Sequence, residues 1–500
     1  MSVKKITTIL FSLRLGRMLI GILSAMVSAK FFGISIERDS WILAITVTTI
    51  LVSAIWGPVN ETFRTKFVYL KELEGKEKAI EKTSSLLGFI ILSTFILCSV
   101  LYLFVDKLAL YIIANPTEEL MHIFIKIFTL LLPIILTNEI SNILTSVLNA
   151  FEIFYLPEIV GTITSLINII IVYCLAPYIG IYSFVLSTYV GTIIFMFVLI
   201  FFLKKNQIYV WDKLFSFKFS EAWKFVVFAL PFFFPYFVGQ CNTFFEKYLS
   251  GMLGVGLISS VEYARQFSSI LQGVVNSVLT TIMVPMLSRA YITNEKSTFS
   301  HILKENFSTI FFIVGIALFY MIGTATPLCD FLFNKGSIDS EGLNRIVRLT
   351  QMFGFAFIGV ILYIMTGMSL LASNKRKQYA TIGVLTQIVV LGLNFALIEK
   401  IGVYTLPINY GLAHFITAII MWAILEVEYK YNLTLLIARC VIIILCFSCF
   451  LLFVNTKLNI ENSFVALIVS SIIILILLPL FAYGIGIDIR LYLNKIRQRL

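Results

Sequence analysis

Five hundred residues that are 59% hydrophobic and only 13% charged, with a mean hydropathy of +0.97, lie outside the range of soluble domains, where charged residues alone run near 25%. The net charge of +11 is scattered through short polar segments between apolar runs. That distribution excludes nucleic acid as a partner and points to the bilayer, with its anionic headgroups, as the neighbour of the basic loops.

Apolar runs of about 20 residues are long enough to cross ~30 Å of hydrocarbon as helices. Fourteen occur, at 6–31, 40–63, 83–105, 121–147, 158–175, 181–203, 223–245, 257–285, 301–325, 344–371, 380–398, 404–425, 434–454 and 463–483. The expected fold is therefore an all-α polytopic membrane protein. The first run has no small-residue cleavage pattern behind it and reads as a retained span. Basic residues concentrate in alternate loops: Lys4 and Lys5, the 64–82 segment, Lys204 to Lys218, Arg289 to Lys304, Lys375-Arg376-Lys377, and Arg490 to Arg499. By the positive-inside rule this places both termini in the cytoplasm. No loop is long enough for an appended catalytic domain, so the chain is not expected to be an enzyme.

Ile179-Gly180-Ile181-Tyr182 and Ile401-Gly402-Val403-Tyr404 open two runs 222 residues apart, and Gly33 and Gly254 follow two others at an offset of 221. Agreement of two distant offsets predicts two six-span lobes in the same orientation, related by a pseudo-two-fold axis along the membrane normal. The expected divisions are an N-lobe at 1–222, a C-lobe at 223–432, and a helix pair with a basic tail at 433–500.

Polar stripes at steps of three and four lie on single helical faces. The first run carries Arg14, Arg17, Gly21, Ser24 and Ser28; the second Thr46, Thr49, Ser53, Gly57, Asn60 and Arg64; the fourth Asn138, Asn142, Thr145 and Asn149; the eighth Glu262, Arg265, Ser269, Gln272 and Asn276. A charged side chain at the bilayer centre costs roughly 2.5–3.5 kcal/mol on the insertion scale, so such faces look into protein or a wet cavity. The arginines suggest an anionic cargo. Hydroxyl and amide stripes serve either cavity lining or close helix packing. Glu262 reads as a moderator of Arg265 or as its i,i+3 partner. Glu139 reads as a cation or proton coupling site or as a partner for an arginine.

Pro231 and Pro235, followed by Gln240 and Asn242, predict a bent and polar seventh span. Cys446 and Cys449 form a CxxC in an apolar context and read as inert packing. No cofactor or metal is expected. A phosphate loop, a nucleophile elbow and HExxH are all missing from the sequence, which favours a secondary transporter or flippase over a pump.

Several segments carry a family likeness: Ala29-Lys30-Phe31-Phe32-Gly33 with Asp39-Ser40-Trp41, then Tyr263-Ala264-Arg265, and Val284-Pro285-Met286-Leu287-Ser288-Arg289. Through them the chain resembles the MurJ (MviN) lipid-linked glycan flippases, within the superfamily that also holds O-antigen flippases and multidrug/toxin extruders. The resemblance implies a V-shaped cavity between lobes, a groove at the last two spans for a polyprenyl tail, and Arg265 as one cavity cation. Ser24 and Val52 stand where the family usually has further cationic positions, which widens the cargo from the peptidoglycan precursor to surface-polysaccharide units. The expectation is a monomeric inner-membrane flippase for a polyprenyl-diphosphate-linked oligosaccharide, driven by a monovalent ion or the membrane potential. Arg14, Arg17 and Arg265 would hold the diphosphate. A multidrug/toxin cation antiporter of the same superfamily, coupled through Glu139 or Glu262, is the alternative.

Overall fold

The computed structural model describes residues 3–212, 214, 218–279, 283–293, 295–334 and 336–487. Among them it contains eighteen α-helices and no strand. The predicted basic tail from Arg490, and Lys213 and Phe215–Phe217 of the 204–222 segment, lie outside the described residues. The chain packs as two compact units, 1–259 and 260–500.

The first unit contains α1 (Val3–Phe32), α2 (Ile36–Ile55), α3 (Gly57–Glu74), α4 (Lys76–Leu103), α5 (Val105–Ile112), α6 (Glu118–Ala150), α7 (Tyr155–Ile179), α8 (Tyr182–Lys205) and α9 (Phe219–Met252). Helix starts follow capping chemistry. Ser35 accepts the Arg38 N–H at the head of α2, and Thr117 accepts Leu120 N–H at the head of α6, where Glu118 and Glu119 also face the helix dipole. The predicted second span divides at Trp56, because Gly57 and Pro58 begin a new helix with proline in its first turn. α9 runs unbroken through Pro231 and Pro235.

Two aromatic-rich cores hold this unit. One gathers Phe63 and Phe67 of α3 around Phe225 of α9, with Phe63 and Phe225 stacked at 5.7 Å. The other gathers Trp41, Phe124 and Phe128 between α2 and α6. Within lipid, such contacts stabilise by packing density rather than by removal from water.

The second unit takes in most of α10 (Leu257–Val278), then α11 (Val284–Ile292), α12 (Lys296–Gly323), α13 (Ala325–Phe333), α14 (Ser340–Ala372), α15 (Arg376–Ile401), α16 (Thr405–Ile424), α17 (Lys430–Leu458) and α18 (Ser463–Ile485). Its core runs from Phe307 and Phe311 of α12 through Phe357 and Met365 of α14 to Cys440, Ile444 and Phe481 of α17 and α18. α14 and α16 approach closely: a Cβ added at Gly411 would stand 2.7 Å from Ala356 Cα.

A helix overlies every predicted apolar run. Among the described residues, eleven helical segments are long and apolar enough to cross a membrane, and one of these, Arg376–Ile424, joins α15 and α16 across Gly402. The outer faces of α17 and α18 display Ile442, Phe450, Phe453, Leu475 and Ile476, as a lipid-facing surface requires. Cys446 and Cys449 are free thiols exposed on α17 rather than packed inside.

Gly180 ends α7 at φ 56°, ψ −138°, and Gly402 ends α15 at φ 70°, ψ −154°. Both copies of the Ile-Gly-Ile/Val-Tyr motif thus make the same left-handed exit, which only glycine adopts without strain.

Candidate functional site

In the first unit the α1 stripe lies against α7. Arg17 Nη2 stands 3.3 Å from Glu158 Oε2 and donates to the Glu158 carbonyl at 3.2 Å. The guanidinium is therefore compensated by a carboxylate 141 residues away in sequence. Its side chain remains 42% exposed, so one edge is open. Ser24 is half-buried and Ser28 buried on the same face. The backbone of Arg14 belongs to α1, and its side chain lies outside the described part.

The stripes of the second and fourth runs meet. Glu139 of α6 is completely buried. Its Oε2 accepts from Asn60 Nδ2 of α3 at 3.2 Å, and its Oε1 accepts from Asn142 Nδ2 one turn along at 3.0 Å. Asn142 is exposed, while Asn138 and Asn60 are half-buried. Among the described residues the carboxylate is thus held by two amides. Arg64 does not join this group. It is exposed on α3 with its guanidinium 4.8 Å from the Phe154 ring centre.

In the second unit, Glu262, Arg265, Gln272 and Asn276 share a half-buried face of α10, whereas Tyr263, Ala264, Phe267 and Val275 on the other side are buried. The Arg265 guanidinium lies 4.9 Å from the Phe353 ring of α14 and 5.5 Å from the Tyr410 ring of α16. Tyr410 packs at 4.3 Å on buried His414, whose other side meets Tyr363 edge-on at 4.8 Å. His414 Nδ1 lies 2.7 Å from the Tyr410 carbonyl, so that nitrogen carries a proton and donates it. Aromatic faces attract a cation and fix the plane of a guanidinium. Glu158, Phe353, Tyr410 and His414 were not singled out from sequence. The i,i+4 spacing of Tyr410 and His414 within an apolar helix was the one local signal available.

The Asp39-Ser40-Trp41 segment also gains a physical reason. Asp39, buried at the start of α2, accepts the Gly256 N–H at 2.6 Å, the Ser259 N–H at 2.8 Å and the Ser259 hydroxyl. These donors lie at the first turn of α10, where a carboxylate complements unsatisfied N–H groups and the helix dipole.

The helices and their internal polar faces define a multi-pass helical membrane protein that keeps ionised groups within its bundles. A family model described as lipid II flippase MurJ matches residues 28–478. The chain belongs to that family. A probable lipid II flippase MurJ of Buchnera aphidicola is 22% identical, the match spanning 94% of each chain. The lipid II flippase MurJ of Burkholderia cenocepacia is 21% identical, with 59% of this chain matched to 58% of that protein. Among solved structures, a lipid II flippase MurJ in an inward closed conformation superposes with a TM-score of 0.79 at 20% identity, covering 95% of this chain and 98% of that one. An inward-facing multidrug MATE transporter of the MOP superfamily gives 0.69 at 12% identity, covering 87% and 98%.

Proposed function

We propose that the chain is a flippase that exports a polyprenyl-diphosphate-linked oligosaccharide across the bacterial inner membrane by alternating access. Lipid II is the first cargo to test and a surface-polysaccharide repeat unit the second. In this reading α1 and α10 cross the membrane as well, α15 and α16 cross separately, and the fourteen crossings leave both termini in the cytoplasm. The chain moves its cargo without bond chemistry, as a monomer.

The observation that carries the reading is the half-buried Arg265 guanidinium on α10, held against Phe353 and Tyr410, in a chain of the lipid II flippase family. A guanidinium presents a fork of N–H donors that matches phosphate oxygens two at a time. The rings fix its plane. Arg17, open on one edge beside Glu158, and Arg14 supply further positive charge on α1. Export requires that these cations engage the diphosphate unequally in the inward and outward states, since equal affinity shifts nothing.

Arg265→Ala should reach the membrane and lose export by about 10- to 100-fold, the worth of one charge-assisted pair. Arg265→Lys should fall between, keeping charge but not the fork. The measurement is the outward exposure of lipid II in cells depleted of the wild-type protein. Undiminished export by the alanine variant would remove Arg265 from the site. The antiporter reading draws on the likeness to the MATE structure. Saturable, proton-driven efflux of an organic cation from proteoliposomes would favour it instead.

A further inference from the structure

We infer that Glu139 and Asn60 form a proton-binding site inside the first unit, the carboxyl taking up and releasing one proton during the transport cycle. Four observations support this. Glu139 is fully buried in the C-terminal half of α6. Both its oxygens are held by amide N–H groups, from Asn60 and Asn142. Neither donor carries a charge, and among the described residues no cation pairs with the carboxylate. Asn60 Oδ1 is buried and has no donor among the described residues.

That last atom completes the site. With Glu139 ionised, Asn60 donates through Nδ2. With Glu139 protonated, a half-turn of the amide brings Oδ1 to face the new O–H, and the empty acceptor is filled. The same two side chains therefore satisfy both protonation states, each with a different end of one amide. Asn142, one turn further on, is exposed.

Several charged and titratable groups on the helices packed against α6 have partners of their own. On α2, Asp39 binds Gly256 and Ser259 while Arg38 lies over Phe184. On α3, Glu61 accepts from Tyr236 and Arg64 covers Phe154. Cys98 of α4 donates to the Leu132 carbonyl and Tyr189 of α8 to that of Leu130. α5 packs against the Phe124–Phe128 stretch, about 16 Å along the helix from Glu139 at 1.5 Å per residue. A sodium ion would need a cage of oxygens, whereas here both carboxylate oxygens face N–H donors. The step is a proton transfer only: an O–H bond forms at a Glu139 oxygen as one breaks in water on one side, and the reverse follows on the other.

The site itself stands apart from the export reading, but its use in export rests on that reading. The first test therefore needs no cargo. Purified protein in nanodiscs, titrated in pH under infrared difference spectroscopy, should show one carboxylic C=O band that is lost in Glu139→Gln. In Asn60→Leu and Glu139→Asp it should be retained but moved in frequency. The aspartate variant keeps the carboxyl and covers the case in which the glutamine protein fails to fold. A spectrum unchanged by Glu139→Gln, or a band that follows added sodium rather than pH, overturns the proposal.

In proteoliposomes with the potential clamped at zero, an imposed pH gradient should change wild-type export by up to about tenfold per pH unit, the limit for one linked proton. Export by Glu139→Gln should no longer follow the gradient. A titrating band in a protein that moves no saccharide would sink the export reading and leave the proton site standing.

Discussion

A charge inside an apolar run is visible in a sequence; its partner is not. Arg17 and Arg265 stood out because steps of three and four placed them on polar faces. Glu158, 141 residues from Arg17, and the rings beneath Arg265 come from other helices, and no local pattern announces such pairings. Glu139, Asn60 and Asn142 were each legible as polar residues in spans, yet only the packing of α3 against α6 joins them. The Arg17–Glu158 pair illustrates how exposure sets magnitude. With the arginine side chain 42% exposed, the pair belongs near the solvent-exposed scale, and a double-mutant cycle with Arg17→Gln and Glu158→Gln should give a coupling of about 0.5–1 kcal/mol. Thermal unfolding in detergent measures it. A coupling of several kcal/mol would mean that the edge facing outward is dry.

Helix ends were easier to read than helix contacts. Ser35, Thr117, Asp339 and Asn462 all cap the helices they precede, and the division at Trp56 follows from Gly57-Pro58, which continuous apolarity had hidden. The contact between α14 and α16 matters more for the site, because these helices carry Phe353 and Tyr410. Their close approach depends on Gly411 next to Ala356. Gly411→Val should force the pair apart and cost about 1–3 kcal/mol by overpacking, read as a lowered melting temperature. Export should fall too, although residue 411 touches no cargo in the proposed reading, since the platform beneath Arg265 would move. Normal export together with a lowered melting temperature would show that the platform tolerates the shift.

For the molecule as a whole, composition and apolar run length were enough to give an all-helical membrane protein, since hydrocarbon leaves few alternatives for a backbone. The division into compact units depends on contacts that periodicity does not encode. If the cargo leaves as an anion, an inside-negative potential contributes about 2.3 kcal/mol per charge per 100 mV, roughly fifty-fold in its equilibrium distribution. With no pH gradient across the membrane, collapsing the potential with valinomycin and matched potassium should therefore halt net accumulation on the outer leaflet; unchanged accumulation would show that the potential is not a driving force. The glycines that end α7 and α15 bear on the proposed internal repeat. Two exits with nearly the same φ and ψ, 222 residues apart and each followed by an apolar residue and a tyrosine, are what duplication of an ancestral segment would leave behind. After most side chains have drifted, a position that tolerates only glycine keeps the record longest.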